Sequence, residues 1–260
     1  MEMTSVSFEI AWLGRSLKAN VPVPTGPTSP RIMLPVIQQL TNALVGMGES
    51  VVEEQGEKIS CKAGCGACCR QLVPITETEA RHIHDLVEAM PEPRRRVVLQ
   101  RFADARERLE AGGLLEFLVN PADNIRNKTL GLEYFHLGIA CPLLENESCS
   151  IHPDRPLVCR EYLVMSPAEN CQEPTAESIR RAPMPGFAMA AFATLDGLPP
   201  GPGVHWVPLV LAHGWAEAHP EPPPPDKGTD LFVRFMKTLT RLKRDLSTMD
   251  ALQPEEEAAP

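Results

Sequence analysis

Apolar residues recur along the chain with two periods, and each predicts its own kind of element. Val6, Phe8, Ile10 and Trp12 alternate with polar residues, as do Leu17, Ala19, Val21 and Val23 beyond Gly14-Arg15, which predicts a β-hairpin over residues 5–24. From Pro35, the positions Ile37, Leu40, Leu44, Met47 and Val51 fall on one helical face. Thr76 and Glu79 have the spacing of a capping box and open a helix through Ala89. A further helix is expected from Pro93 to Ala111, with Val98, Phe102, Ala105 and Leu109 on one side and Gly112-Gly113 at its end. Leu231, Phe235, Leu239, Leu242 and Leu246 mark an amphipathic helix over Asp230–Leu246.

The intervening stretches carry no period. Pro24 to Pro30 and Pro220 to Pro225 read as linkers, residues 173–204 are punctuated by Pro and Gly, and Trp206–Ala218 is expected to be helical despite Pro208. The expected organisation is a hairpin and helix over 1–55 and a cysteine-bearing segment over 56–172. A covering loop and helices follow over 173–246, and a disordered tail over 247–260. The fold class is α+β, mainly helical, with a small N-terminal β-hairpin and a loop-rich core organised around bound metal.

That last element of the expectation comes from the cysteines. Four of the eight lie in nine residues, at Cys61, Cys65, Cys68 and Cys69, and the others follow at Cys141, Cys149, Cys159 and Cys171. A helix or strand would throw four such closely spaced thiols in different directions, whereas a metal cage needs sulfurs converging on one point. Gly64 and Gly66 are expected at positive φ, turning backbone N–H groups toward the sulfurs. Arg70, Arg155 and Arg160 stand beside the cysteines and would balance the negative charge of a thiolate centre; Arg155 and Arg160 suit equally well ordinary ion pairs at the Pro156 turn. Among the imidazoles, His82 and His84 lie two apart on a helix and face opposite ways. His136 reads as a packed or surface group, and His152, beside Pro153, as a hydrogen-bond donor rather than a ligand.

Composition narrows the class of partner. A net charge of −9 with a pI near 5.3 excludes the basic stripe that nucleic acid requires, and no apolar run reaches the ~20 residues of a membrane span. The N-terminus has no basic segment followed by an apolar one, so a reducing cytoplasm is expected, where cysteines serve metal or redox chemistry rather than disulfides. Structural zinc and an iron–sulfur cluster both suit an all-thiolate set, and the spacing does not choose between them. Cys61-x3-Cys65-x2-Cys68 resembles the cluster loop of radical S-adenosylmethionine enzymes. Ala67, however, stands where that loop carries an aromatic residue, Cys69 follows at once, and the repeated strand–helix units of a barrel are missing.

Taken together, Cys61-x3-Cys65-x2-Cys68-Cys69-Arg70, Glu79-Ala80, Cys141-Pro-Leu-Leu, Cys149-Ser-Ile-His and Arg155-Pro156 … Cys159-Arg160-x-Tyr162 resemble the YkgJ-like cysteine-cluster proteins, the CxxCxxCC family. The resemblance spans roughly residues 58 to 172 and implies chelation of zinc or iron. Flagellin lysine N-methylases carry a similar cluster, which implies an alternative, an iron–sulfur enzyme of redox or methyl-transfer type. No glycine-rich S-adenosylmethionine loop follows a strand in this sequence.

Overall fold

The computed structural model describes all residues except 120–128, 176, 197–205, 221, 223–224 and 250–260, and for 242–249 it describes the helix backbone alone. Strands β1 (Met3–Trp12) and β2 (Arg15–Pro24) form the expected antiparallel hairpin, with Ile10 opposite Leu17. Its turn is Leu13-Gly14 rather than Gly14-Arg15. Both residues take positive φ, 45° and 75°, the backbone twist that joins two right-twisted strands most directly. The Pro24–Pro30 stretch is more than a linker: its residues Pro27–Thr28 (β3) pair with Asp226–Lys227 (β8), so the two proline-rich stretches meet.

Helix α1 starts at Pro30, five residues before the expected start, and runs to Glu54. Ser29 caps it by accepting from the Arg31 amide at 3.2 Å, and Pro35 is carried inside at the loss of one helical bond. Strand β4 (Pro74–Ile75) leads into α2 (Glu77–Glu88), where the Thr76/Glu79 capping box is complete, and α3 spans Glu92–Ala111 as expected. Next come α4 (Leu115–Val119), α5 (Leu130–His136), the hairpin β5 (Leu144–Glu145) and β6 (Ser148–Cys149), and α6 (Leu157–Glu161).

The aperiodic region contains α7 (Ala188–Ala193), a helix buried nearly all round that therefore shows no polar stripe. Trp206–Ala218 is not one helix. Val207–Pro208 (β7) pairs with β4, a 3₁₀ turn covers Leu209–Leu211, and α8 covers Ala212–Ala218, because Pro208 has no N–H to give a helix. Helix α9 runs Gly228–Met249, past the expected end; the rest of the expected tail lies outside the described residues. The described strands form four two-stranded sheets and no closed one, so the protein is mainly helical with a small N-terminal hairpin. No helix is long and apolar enough to cross a membrane among the described residues.

Three large apolar cores and one small cluster, around Ala67, Val164 and Cys171, hold these elements among the described residues. The hairpin packs with α1, α7 and α9 around Ile37, Leu44, Phe192 and Phe235. A second core gathers Ile75, Ile83, Val98, Leu143 and Leu209, and a third joins the end of α3 to α4 and α5. Between them, buried carboxylates cap helices in trans. Glu79 of α2 accepts from the Leu157 amide opening α6, at 2.7 Å. Glu161, at the end of α6, accepts from the Ala188 and Met189 amides opening α7. Asp196, just after α7, accepts from the amide and hydroxyl of Thr78 at the start of α2. The three contacts close a circuit, α2 to α6 to α7 and back.

Burial raises the Asp196 carboxyl to about 6, the Thr78 bonds opposing it and the Glu77 and Glu79 charges adding to it. A raised folded-state pKa gives stability that is complete below the ordinary aspartate range and is lost as pH climbs through about 6. Asp196→Asn abolishes this titration. The stability of the native chain relative to that variant is therefore expected to grow as pH falls from neutrality to about 4, read from paired urea midpoints.

Candidate metal centre

The first cysteine motif is held in shape by backbone bonds to a distant strand. Ser60 donates to the Val164 carbonyl at 2.9 Å, and the Val164 amide donates in turn to Cys61 Sγ at 3.4 Å. Gly64, at φ +80°, makes the turn that lets Cys65 donate to Lys62. A 3₁₀ turn, Ala67–Arg70, then carries Cys68 and Cys69. Gly66 is not at positive φ, as the sequence had suggested; its φ is −91°. What excludes a side chain there is crowding, since a Cβ would stand 2.7 Å from Glu147 Oε2 and 2.9 Å from Leu144 Cδ1. Gly66→Ala should push the loop off the β5–β6 hairpin and destabilise the protein by about 1–3 kcal/mol, measurable as a lowered urea midpoint.

The second motif is stitched to the first. The Cys141 amide donates to the Cys69 carbonyl at 2.7 Å, and the Arg70 guanidinium grips both Glu147 oxygens at 2.8 and 2.6 Å while reaching Gly66 O. Glu147 sits in the β5–β6 turn, where it and Asn146 both take positive φ. Two arginines of α3 hold the segment from outside: Arg94, in a basic run that reads from the sequence as a solvated helix face, donates to Ser150 O, and Arg101 donates to Pro142 O and Leu144 O. They lie seven apart, two turns along one helix face, which was the available signal. Cys159 rides on α6, whose start is fixed by Glu79. Cys171 ends the 3₁₀ turn Ala168–Cys171, which packs against the Ala67–Arg70 turn.

All eight cysteines are free thiols, and they come together from both motifs. Their electrostatic neighbours divide them. Cys171 feels Cys61, Cys65 and Cys68, Cys159 feels Cys141, Cys68 and Cys149, and Cys69 feels Cys141, Cys68 and Cys159, so Cys68 is the sulfur that both groups share. The Cys69 thiol donates to Cys68, favouring the Cys68 thiolate and holding the proton on Cys69. Burial, with the neighbouring sulfurs, pushes Cys61, Cys149, Cys159 and Cys171 up and Cys141 to about 12. Against that, backbone amides aim at three sulfurs: Val164 at Cys61, Leu143 at Cys141 and Ile151 at Cys149. The sulfurs are gathered but not drawn tight, for among the described residues no three of them all lie within 4.8 Å of one another.

The three flanking arginines have different surroundings. Arg160 is 5% exposed and is spent on backbone and amide oxygens, with Nε on Arg155 O, Nη1 on Asn42 and Nη2 on Pro153 O, so it braces the Pro153–Pro156 turn. Arg155 lies close enough to Cys61, Cys68 and Cys149 to favour their thiolates, and its buried Nε has no hydrogen-bond partner among the described residues. Arg70 acts on Cys69 while paired to Glu147. His152 accepts from Arg155 Nη1 at 2.9 Å instead of donating, and that guanidinium, with some burial, holds its pKa below the ordinary range.

No curated protein and no solved structure shows significant similarity to the chain. One family model does match, over residues 60–178, and its description is "Putative zinc- or iron-chelating domain". The matched span begins beside Cys61 and ends beyond Cys171, so it takes in every cysteine, and over that segment the chain is similar to the CxxCxxCC family.

Proposed function

We propose that the chain binds metal through cysteine thiolates drawn from both motifs, in two adjacent centres. Cys61, Cys65, Cys68 and Cys171 form one donor set; Cys69, Cys141, Cys149 and Cys159 form the other. The observation that carries this reading is the Val164 amide donating to Cys61 Sγ at 3.4 Å, with the Leu143 and Ile151 amides placed so as to favour the thiolates of Cys141 and Cys149. A thiol needs no such donor, whereas a metal-bound thiolate keeps excess charge that N–H groups stabilise. So many half-buried sulfurs also repel one another as anions, and a cation offsets that cost directly. Arg155 would supply charge balance from outside the donor sets. All-sulfur ligation suits zinc or an iron–sulfur cluster, and either would pull the side chains inward by rotation about their Cα–Cβ bonds.

The role that fits is structural or electron-transferring. Anaerobic purification followed by metal analysis and an absorption spectrum tests the reading. Bound zinc gives a colourless protein, and a cluster gives a brown one absorbing near about 400 nm through sulfur-to-iron charge transfer. Full metal content retained by a Cys61→Ser, Cys141→Ser, Cys171→Ser triple variant would overturn it.

A further inference from the structure

Away from the cysteines, two histidines and a glutamate meet where α2 packs against α8. His84 and His213 stack with ring centroids 4.7 Å apart, and Glu217 lies one turn beyond His213. The potential ligand atoms of His84, His213 and Glu217 all lie within 4.8 Å of one another, a closeness reached by no other group of His, Cys, Asp and Glu among the described residues. The sequence reading set His84 aside because its near neighbour His82 faces the other way. The partner is instead 129 positions further on, brought in by the fold.

Each imidazole has one nitrogen committed and one left over. His213 Nε2 lies 2.9 Å from Glu88 Oε1, and its Nδ1 faces Glu217 Oε2 at 3.8 Å. His84 Nδ1 lies 3.1 Å from Asp85 Oδ1, leaving Nε2. A carboxylate on one ring nitrogen fixes the proton there and presents the other nitrogen as a lone pair, the outer arrangement that accompanies metal-bound histidine. His213 is 7% exposed and held between α2 and Phe102, whereas Glu217 is largely exposed and His84 half-buried. The fixed member is thus inside and the adjustable ones are at the surface. Beyond them opens a cleft of about 360 Å³ lined by His84, Asp85, Ala216 and Glu217.

We propose that His84, His213 and Glu217 form a separate metal site, of imidazole and carboxylate character, for a divalent transition ion of the zinc class. Two nitrogens and one carboxylate suit zinc, cobalt or nickel, and offer too few oxygens for calcium or magnesium. Metal–nitrogen bonds of about 2.0–2.1 Å require the ligand atoms to draw closer than they now stand, which rotation of the Glu217 and His84 side chains achieves. Three protein ligands leave a coordination position facing the cleft, as in sites where a metal holds water or a small ligand. Glu88 and Asp85 are positioning residues for the two rings. This site is independent of what the cysteines hold.

The test is a Co²⁺ titration of the full-length, tag-free protein as purified, with its cysteine metal in place. Calorimetry gives the stoichiometry, the visible spectrum reports the donor type, and long-range ¹H–¹⁵N spectra report the imidazoles. The expected result is one added equivalent, weak d–d absorption without a sulfur-to-cobalt band, and broadening of the His84 and His213 ring signals. His84→Ala and Glu217→Ala, both at the surface, should each weaken binding by about tenfold or more, and Glu88→Gln by about 10–100-fold. The proposal falls if no added equivalent binds, if that equivalent persists undiminished in both surface variants, or if it appears with a sulfur-to-cobalt band.

Discussion

Removing the metal with a chelator is expected to unfold the first cysteine motif while the N-terminal packing survives. The apolar cluster beside Cys61 and Cys65 has only Ala67, Val164 and Cys171 fully buried, with Tyr162 and Ile179 at its edge. Around the first motif that is too little apolar surface to order the loop against its conformational entropy, whereas Leu143 and Ile151 tie the second motif into the core of α2 and α3. A structural thiolate–zinc centre contributes an apparent binding free energy of about 10 kcal/mol or more at neutral pH, and it dominates such a balance. The core of β1, β2, α1, α7 and α9 is built from large aliphatic and aromatic side chains and takes only Leu157 from the cysteine segment. Hydrogen exchange on the metal-free protein should therefore show lost protection at Ser60, Cys65 and Val164 and retained protection along α1. Undiminished protection at those three amides after metal removal would count against thiolate ligation.

Glu79→Gln is expected to cost on the order of 3 kcal/mol, one charge-assisted bond being lost and the other reduced to a neutral one. Glu79 is 2% exposed, and each oxygen has its own amide: Oε2 accepts from Thr76 at 3.0 Å and Oε1 from Leu157 at 2.7 Å. Glutamine keeps one acceptor and turns an NH₂ toward the other amide, donor against donor, with no water to relieve it. Burial raises the Glu79 pKa, and the amide bonds and the Arg160 charge oppose that rise. The effect should reach the metal, because the amide abandoned at Leu157 opens the helix carrying Cys159. Urea denaturation and metal content measured on the same sample would check both halves, and an unchanged midpoint would show that Glu79 is dispensable.

The elements that announced themselves in the sequence were those whose period is set by one neighbour. The hairpin alternates because one face meets α1 and α9; α3 shows Val98, Phe102, Ala105 and Leu109 because one stripe is buried. Helix α7 was invisible since its surroundings are apolar on nearly every side, and the Pro208 region was misread because a two-residue strand has no period to show. At the cysteines, the clustering was legible. The way Cys171 joins Cys61 and Cys65 was not, since it depends on how two 3₁₀ turns pack. Gly66 was correctly singled out for the wrong reason, because a sequence shows that a glycine is present but not what crowds it. The His84, His213 and Glu217 group lies still further from view, being a product of helix packing alone.

The circuit of carboxylates between α2, α6 and α7 bears on where this protein can be cut. The family-matched segment ends at residue 178, short of both Ala188 and Asp196. A fragment trimmed to that boundary would strand Glu161 without amides and Thr78 without its carboxylate, and burying an unanswered acid is far costlier than exposing a loop. The shortest excerpt that keeps every pair intact reaches from Thr76 through Asp196, past the point where the cysteine signature stops. Autonomy here belongs to a larger piece of polypeptide than the one recognition picks out.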